Sequence, residues 1–469
     1  MSGSRALPDP VSAPAGARID YAATLAPAAK LGILLAVLLC LFLAALDQTI
    51  VATALPAIVS QFHGLDLLSW VSVGYLLSST AMVPIYGRLS DLHGRRAVLL
   101  FGTIVFLAGS ALCGLSGSML QLIVWRIVQG VGAAAITSTA FAVPADLYAP
   151  AERSRYMGWF GAAFGLASVV GPWLGGILTD KLSWRWIFYV NLPVGALALA
   201  FILARMPRMA SGIVHRVDVR GTVLLMTATV ALLLALSLDP HVRLLGVPLA
   251  APLVVLGALA VIALVPLERR AASPVLPLAL FRNRTFTVVT VASFFIGMAT
   301  FAAVLFLSIY MVNVIGVSAT AAGNALVPLM LGVVLGGLVA SGVVHHTHRY
   351  KGLILGGLVV CTLGFVLSAR LGEHAGNGQV VACMAVMGLG FGPAMPLLSL
   401  ALQNAVSIEV VGAATATRQY FTQIGQALGA AAFGAVLALS LSGDVARALP
   451  PIVAPLPPAV RAELSPRTF

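Results

Sequence analysis

Gly87-Arg88-Leu89-Ser90-Asp91-Leu92-His93-Gly94-Arg95-Arg96 separates two long apolar segments, and its outline returns where Gly342 and His346 through Lys351 separate two more. Glycines permit the tight turn, and clustered cations mark one side of a bilayer. Working outward, Gly130 and Gly132 match Gly388 and Gly390, while Gly171 and Gly176 match Gly429 and Gly434. Copies in the same order and orientation predict two parallel helical bundles with a site near mid-membrane between them. The second copy has lost charge: His346 replaces Asp91, Met384 replaces Arg126 and Ala430 replaces Pro172. Charge chemistry is therefore expected in the N-terminal half.

The composition agrees with a membrane fold. Hydrophobic residues make up 60% of the chain, charged ones 9%, and mean hydropathy is +1.02, whereas soluble domains carry about 25% charge. A net charge of +12 suits nucleic acid, but these cations sit in short loops, so no nucleic-acid partner is expected. At about 20 apolar residues per span, thirteen segments emerge: 31–58, 67–88, 97–116, 119–147, 157–180, 185–205, 221–238, 248–267, 286–312, 321–344, 352–370, 378–404 and 413–440. The chain divides into a disordered tail (1–30), a six-helix bundle (31–207), two inserted helices (208–270), a C-terminal bundle with five visible helices (271–440) and a Pro-rich tail (441–469). The fold class is thus an all-α integral membrane protein, two six-helix bundles related by a parallel pseudo-repeat, with the last helix expected to be missing. Six prolines between Pro450 and Pro466 argue against another span there.

Orientation follows from the loops. Arg88, Arg95, Arg96, Arg153, Arg155, Arg205, Arg208, Arg216, Arg220, Arg269, Arg270, Arg282, Arg284, Arg349 and Lys351 fall on one side, against Lys181, Arg185, Arg243 and Arg370 on the other. The first side, and the N-terminus with it, is expected to be cytoplasmic. A secretory signal is not expected, because the apolar run starts late and is long enough to span. Arginine outnumbers lysine twenty-four to three, which hints at a GC-rich bacterial genome and hence the inner membrane.

Leu46-Asp47-Gln48-Thr49-Ile50 places a carboxylate inside the first span, and Arg126 lies inside the fourth. An ionised group at membrane depth costs roughly 2.5–3.5 kcal/mol on insertion scales, so it is seldom present without a task. At 1.5 Å per residue both residues fall roughly 10–17 Å from the outer edge, which allows contact. Proton carriage is favoured over a static ion pair, more clearly for Asp47 than for Arg126.

With these residues in view the chain resembles the major facilitator superfamily. Gly87–Arg96 is similar to its signature loop, Arg126-Ile127-Val128-Gln129-Gly130-Val131-Gly132 to its fourth-helix motif, and Gly165 through Gly171-Pro172-Trp173-Leu174-Gly175-Gly176 to its fifth-helix antiporter motif. With the inserted pair, the match is to the fourteen-helix drug:proton antiporter group, of multidrug-efflux and antibiotic-resistance type. The resemblance implies proton-coupled export of amphipathic small molecules, cationic ones among them, by alternating access. It implies gating by Gly87, Arg88, Asp91, Gly94, Arg95, Arg96 and Arg153. Asp91 is expected to bind Arg95, Arg153 or a helix N-terminus of the opposite half when the transporter faces outward. Gly165, Gly171, Pro172, Gly175 and Gly176 are expected to seal the outer side, or simply to pack closely.

Substrate contacts are expected among Tyr75, Gln129, Phe164, Phe295, Asn324, Gln403, Gln419 and Gln423, an aromatic and amide set suited to bulky amphiphiles. Arg418 is expected to snorkel to the cytoplasmic interface, with a cleft-lining role left open by the resemblance. His345, His346 and His348 read as a solvated loop, and Cys40, Cys113, Cys361 and Cys383 as small buried hydrophobes. No metal or cofactor is expected, and without a Gly-x-x-x-x-Gly-Lys-Ser/Thr loop ATP is not the fuel. The expected partners are the lipid bilayer, protons and the exported compound, with a monomeric chain. Rival readings are a dedicated exporter of one metabolite or self-made antibiotic, a transport-inactive sensor and, last, a membrane-embedded enzyme.

Overall fold

The computed structural model describes residues 21–62, 67–207, 218–238, 243–244, 247–271, 274–316, 319–372 and 375–453. Its long helices are α1 (Pro27–Phe62), α2 (Leu68–His93), α3 (Arg95–Gly114), α4 (Met119–Leu147), α5 (Pro150–Lys181), α6 (Asn191–Arg205), α7 (Val219–Ser237), α8 (Ala250–Arg270), α9 (Arg284–Asn313), α10 (Ala319–Thr347), α11 (Lys351–Ser368), α12 (Asn377–Ala405) and α13 (Val411–Val453). They correspond one for one to the apolar segments. Among the described residues eleven spans are long and apolar enough to cross a membrane. The other two helices, α2 and α13, are richer in Ser, Thr and Gln.

Local chemistry sets the ends of several helices. Gly94 turns α2 into α3 at φ 88°, a backbone that side-chain-bearing residues avoid. Ser118 caps α4 by accepting from the Gln121 amide, and Asn283 caps α9 by accepting from those of Thr285 and Phe286. A single turn, Trp186–Tyr189, leads into α6, and a short antiparallel pair, β1 (Arg243–Leu244) with β2 (Val247–Pro248), joins α7 to α8.

The repeat is visible in the packing. In α4, a methyl on Gly130 would strike Tyr75 O and Ser78 of α2, and one on Gly132 would strike the α3 backbone at Phe106. In α12, Gly388 meets Leu329 of α10 and Gly390 meets Cys361 of α11 in the same way. Likewise Gly171 of α5 rests on Thr49 of α1, and Gly429 of α13 rests on Met298 of α9. Helices α9–α13 thus repeat α1–α5, each half around its own apolar core. Small residues let these backbones approach closely where apolar contact alone gives little preference over lipid.

Two boundaries differ from expectation. Order begins before residue 30: Tyr21 and Leu25 are buried in the N-terminal core, because these apolar side chains find a surface beside α1. Helix α13 continues past 440 to Val453; residues 1–20, 208–217 and 454–469 lie outside the described residues.

Candidate functional site

Asp47, on α1, is fully buried, and every group facing it is a donor. Its Oδ2 pairs with Nη1 of Arg126, while its Oδ1 accepts from Gln129 Nε2 at 2.8 Å and from Asn191 Nδ2 at 3.0 Å. Arg126, 2% exposed, also donates to Gln129 Oε1 at 2.7 Å and to Val71 O at 3.3 Å, and its guanidinium lies 4.2 Å from the Tyr75 ring centroid. Asn191 Nδ2 further donates to Ser110 Oγ at 2.9 Å, which donates to Phe188 O at 2.9 Å. Each of the bonds to Asp47 is one that the carboxylate accepts. Helices α1, α2, α3, α4 and α6 meet here. Asn191 and Ser110 are additions to the expected set. The signal for Asn191 was an amide within the apolar run Trp186–Arg205.

The signature loop lies at the end bearing the basic loops. Asp91 accepts from the amides of Gly412 at 3.1 Å and Ala413 at 2.7 Å, the first turn of α13, and pairs with Arg95 at 2.6 Å. Arg95 also pairs with Asp146 of α4 at 2.8 Å. First-turn amides lack partners within their own helix, and the helix dipole favours an anion there, so Asp91 caps α13 from the opposite half. Gly87 makes that approach possible: a methyl would collide with Ala416. Arg153 donates to Ala145 O and Tyr148 O, both at 2.9 Å, and reaches Asn404 of α12 at 3.3 Å. Gln403 donates to Phe141 O at 2.7 Å, and Gln419 to Thr137 O at 3.5 Å. These bonds tie the halves together toward the basic end. Arg88 is buried within electrostatic reach of Glu268 on α8, and Arg96 donates to Leu203 O at 3.1 Å, inside its own half.

The fifth-helix motif works on two surfaces. Gly165 faces Val334 of α10, whereas Gly171 and Gly175 sit on Thr49, Ile50 and Thr53 of α1, next along the helix from Asp47. Pro172 lies within α5, and a methyl on Gly176 would meet nothing within 4 Å.

The expected substrate contacts separate. Tyr75 and Gln129 serve the Asp47 network, and Gln403 and Gln419 bridge the halves. Phe164 stacks on Phe141. Gln423 stands one turn beyond Gln419, its Oε1 buried and without a partner. Phe295 does not converge with them: it is 60% exposed, since α9 packs on α13 through Phe294, Gly297 and Met298 instead. Asn324 belongs to α10, with its side chain outside the described residues. Arg418 does not snorkel; it is 6% exposed, buried on α13 within the fold. The cysteines are buried and free, and His346 and His348 are exposed at the end of α10.

The chain is similar to known proteins over most of its length. Residues 37–430 match the model of the Major Facilitator Superfamily. The chain is 38% identical over 407 residues to multidrug transporter protein MdtP of Bacillus subtilis, covering 85% of this chain and 74% of that protein. It is 35% identical over 410 residues to multidrug resistance protein 3 of the same organism, covering 86% and 79%. The proton:xylose symporter XylE has the same fold, with a TM-score of 0.64 at 14% identity over 90% of this chain and 91% of that one. Sequence, helix order and packed repeat together make this chain a member of the Major Facilitator Superfamily.

Proposed function

We propose that this transporter exports amphipathic small molecules in exchange for protons, from a bacterial inner membrane with its basic loops in the cytoplasm. The observation that carries the reading is the all-donor shell around Asp47. Adding a proton puts a new O–H beside Arg126, which can only donate, and beside Gln129 and Asn191, whose amides point their NH2 groups at the acid. The ion pair then weakens and the amides must turn to accept the proton, loosening α1 from α4 and α6. Helix α4 extends the effect: Arg126 and Gln129 lie on its outer half, and Asp146, tied through Arg95 to Asp91, lies at its basic end. With the cytoplasmic contacts closed, this is the state that awaits a proton from outside. Protonation of Asp47 loosens the shell, α4 moves and the Asp91 cap on α13 is released. In the inward-facing state a bound substrate favours the ionised acid and expels the proton. The names of the two Bacillus relatives support drug-like substrates.

A proton moving down 100 mV supplies about 2.3 kcal/mol, enough for roughly a fifty-fold gradient. The test is uptake of a fluorescent lipophilic cation into everted vesicles under an imposed pH gradient. Accumulation should collapse with a protonophore and disappear in Asp47→Asn. Equal accumulation in the variant would remove Asp47 from coupling. No accumulation by a membrane-inserted wild type would favour an exporter dedicated to one compound.

A further inference from the structure

Five arginines are buried among the described residues: Arg88, Arg95, Arg126, Arg153 and Arg418. The first four have compensation, from Glu268, from Asp91 and Asp146, from Asp47, and from two carbonyls with Asn404. Arg418 has none. Its Nε is buried without an acceptor, and its guanidinium makes no hydrogen bond or ion pair among the described residues. A buried charge without a counter-charge keeps its desolvation penalty unoffset, so a partner is called for.

The protein has no carboxylate to offer. On α13, Arg418 shares a stripe with Thr422, Gly425 and Gly429, the residues packed on Gly297, Phe294 and Met298 of α9. Continued one turn toward the basic end, the register of these contacts carries Arg418 to the level of Thr290. Neither α9 nor α10, α11 or α12 contains an Asp or Glu. Asp91 lies against the opposite face of α13 and is committed to Arg95, while Glu409 is exposed in the turn before α13. Hydroxyls, by contrast, are in surplus: Thr290 Oγ1 and Ser293 Oγ on α9, and Thr415 Oγ1 one turn before Arg418, are all buried without partners among the described residues. Hydroxyl donors beside an unpaired guanidinium form the complement of a small anion.

We propose that Arg418, Thr290, Ser293 and Thr415 form a site for one monovalent anion in the C-terminal half, about 10 Å inside the basic end of α13. The same chemistry accepts a halide from the medium or the carboxylate of a transported amphiphile. The site depends on neither proton coupling nor transport direction, so vesicle assays leave it untouched.

The experiment measures thermal unfolding of the purified full-length protein in sodium isethionate, with chloride or benzoate added at constant ionic strength. A ligand of the native state raises the midpoint with the logarithm of its concentration. Wild type should respond saturably to at least one anion, and Arg418→Gln should weaken that response at least tenfold. Response to both assigns the site to inorganic anions; response to benzoate alone assigns it to substrate carboxylates. In isethionate Arg418→Gln should unfold no earlier than wild type, since an uncompensated charge has been removed. Should that variant fail to purify, Thr290→Val should weaken the response about threefold. No saturable response in wild type, or one unchanged in both variants, would overturn the proposal.

Discussion

At the level of single residues the governing fact is that Asp47 and Arg126 are each tolerable only because of the other. Removing one partner of a buried ion pair costs about 3–5 kcal/mol, because the survivor is stranded, whereas replacing both by apolar groups is often close to neutral. Asp47→Leu and Arg126→Leu should therefore each lower the unfolding midpoint sharply, and the double variant should recover much of the loss. A double variant as damaged as the sum of its parents would mean the two do not share one energetic unit. This pair was readable from sequence because ions at membrane depth are costly and stand out. Gln129 and Tyr75 were harder to read: an amide and a phenol suit a substrate cleft as well as they suit a charged pair, and only the helix rotation decides. Asn191 stands out as an amide in an apolar run, but its pairing with Asp47, 144 positions away, is beyond the reach of local patterning.

For helices, the fifth offers the sharpest contrast, between neighbouring glycines. A methyl at Gly175 would meet Thr53, with Ile50 O at 2.8 Å, and at Gly176 nothing within 4 Å. Gly175→Ala should destabilise by about 1–3 kcal/mol through overpacking. Gly176→Ala should be neutral or slightly stabilising, since alanine is the better helix former by roughly 0.5–1 kcal/mol. Equal effects in a thermal melt would show that α5 does not lean on α1 as described. Helix number and order were legible from the apolar segments alone. The single turn Trp186–Tyr189 was not, although Ile187 and Phe188 fill the core beside the ends of α1 and α3 far from the basic loops. Four residues are too few to show a period.

Across the whole molecule, the two halves meet through hydrogen bonds gathered toward the basic end, and Asp91 is central among them. Spin labels at the exposed positions His93 and Glu409 should lie close in wild type, and their distance should lengthen in Asp91→Ala as the halves part at the basic end. An unchanged distance would show that the remaining contacts, Arg153–Asn404 and Gln403–Phe141, hold the closure alone. The motif and its resemblance pointed to Asp91 and a helix N-terminus. The glutamine bridges were not foreseen, because nothing local in a sequence tells which side chains will face each other across a seam.

A helix that borrows its cap from the other half is complete only while the two halves touch. When they part, water can take over the amides of Gly412 and Ala413, so what is lost is the margin of a carboxylate over water. Caps of this kind are worth about 0.5–2 kcal/mol, a ratio of populations between roughly two and thirty. A latch of that strength holds for most of the time and yet yields to thermal motion.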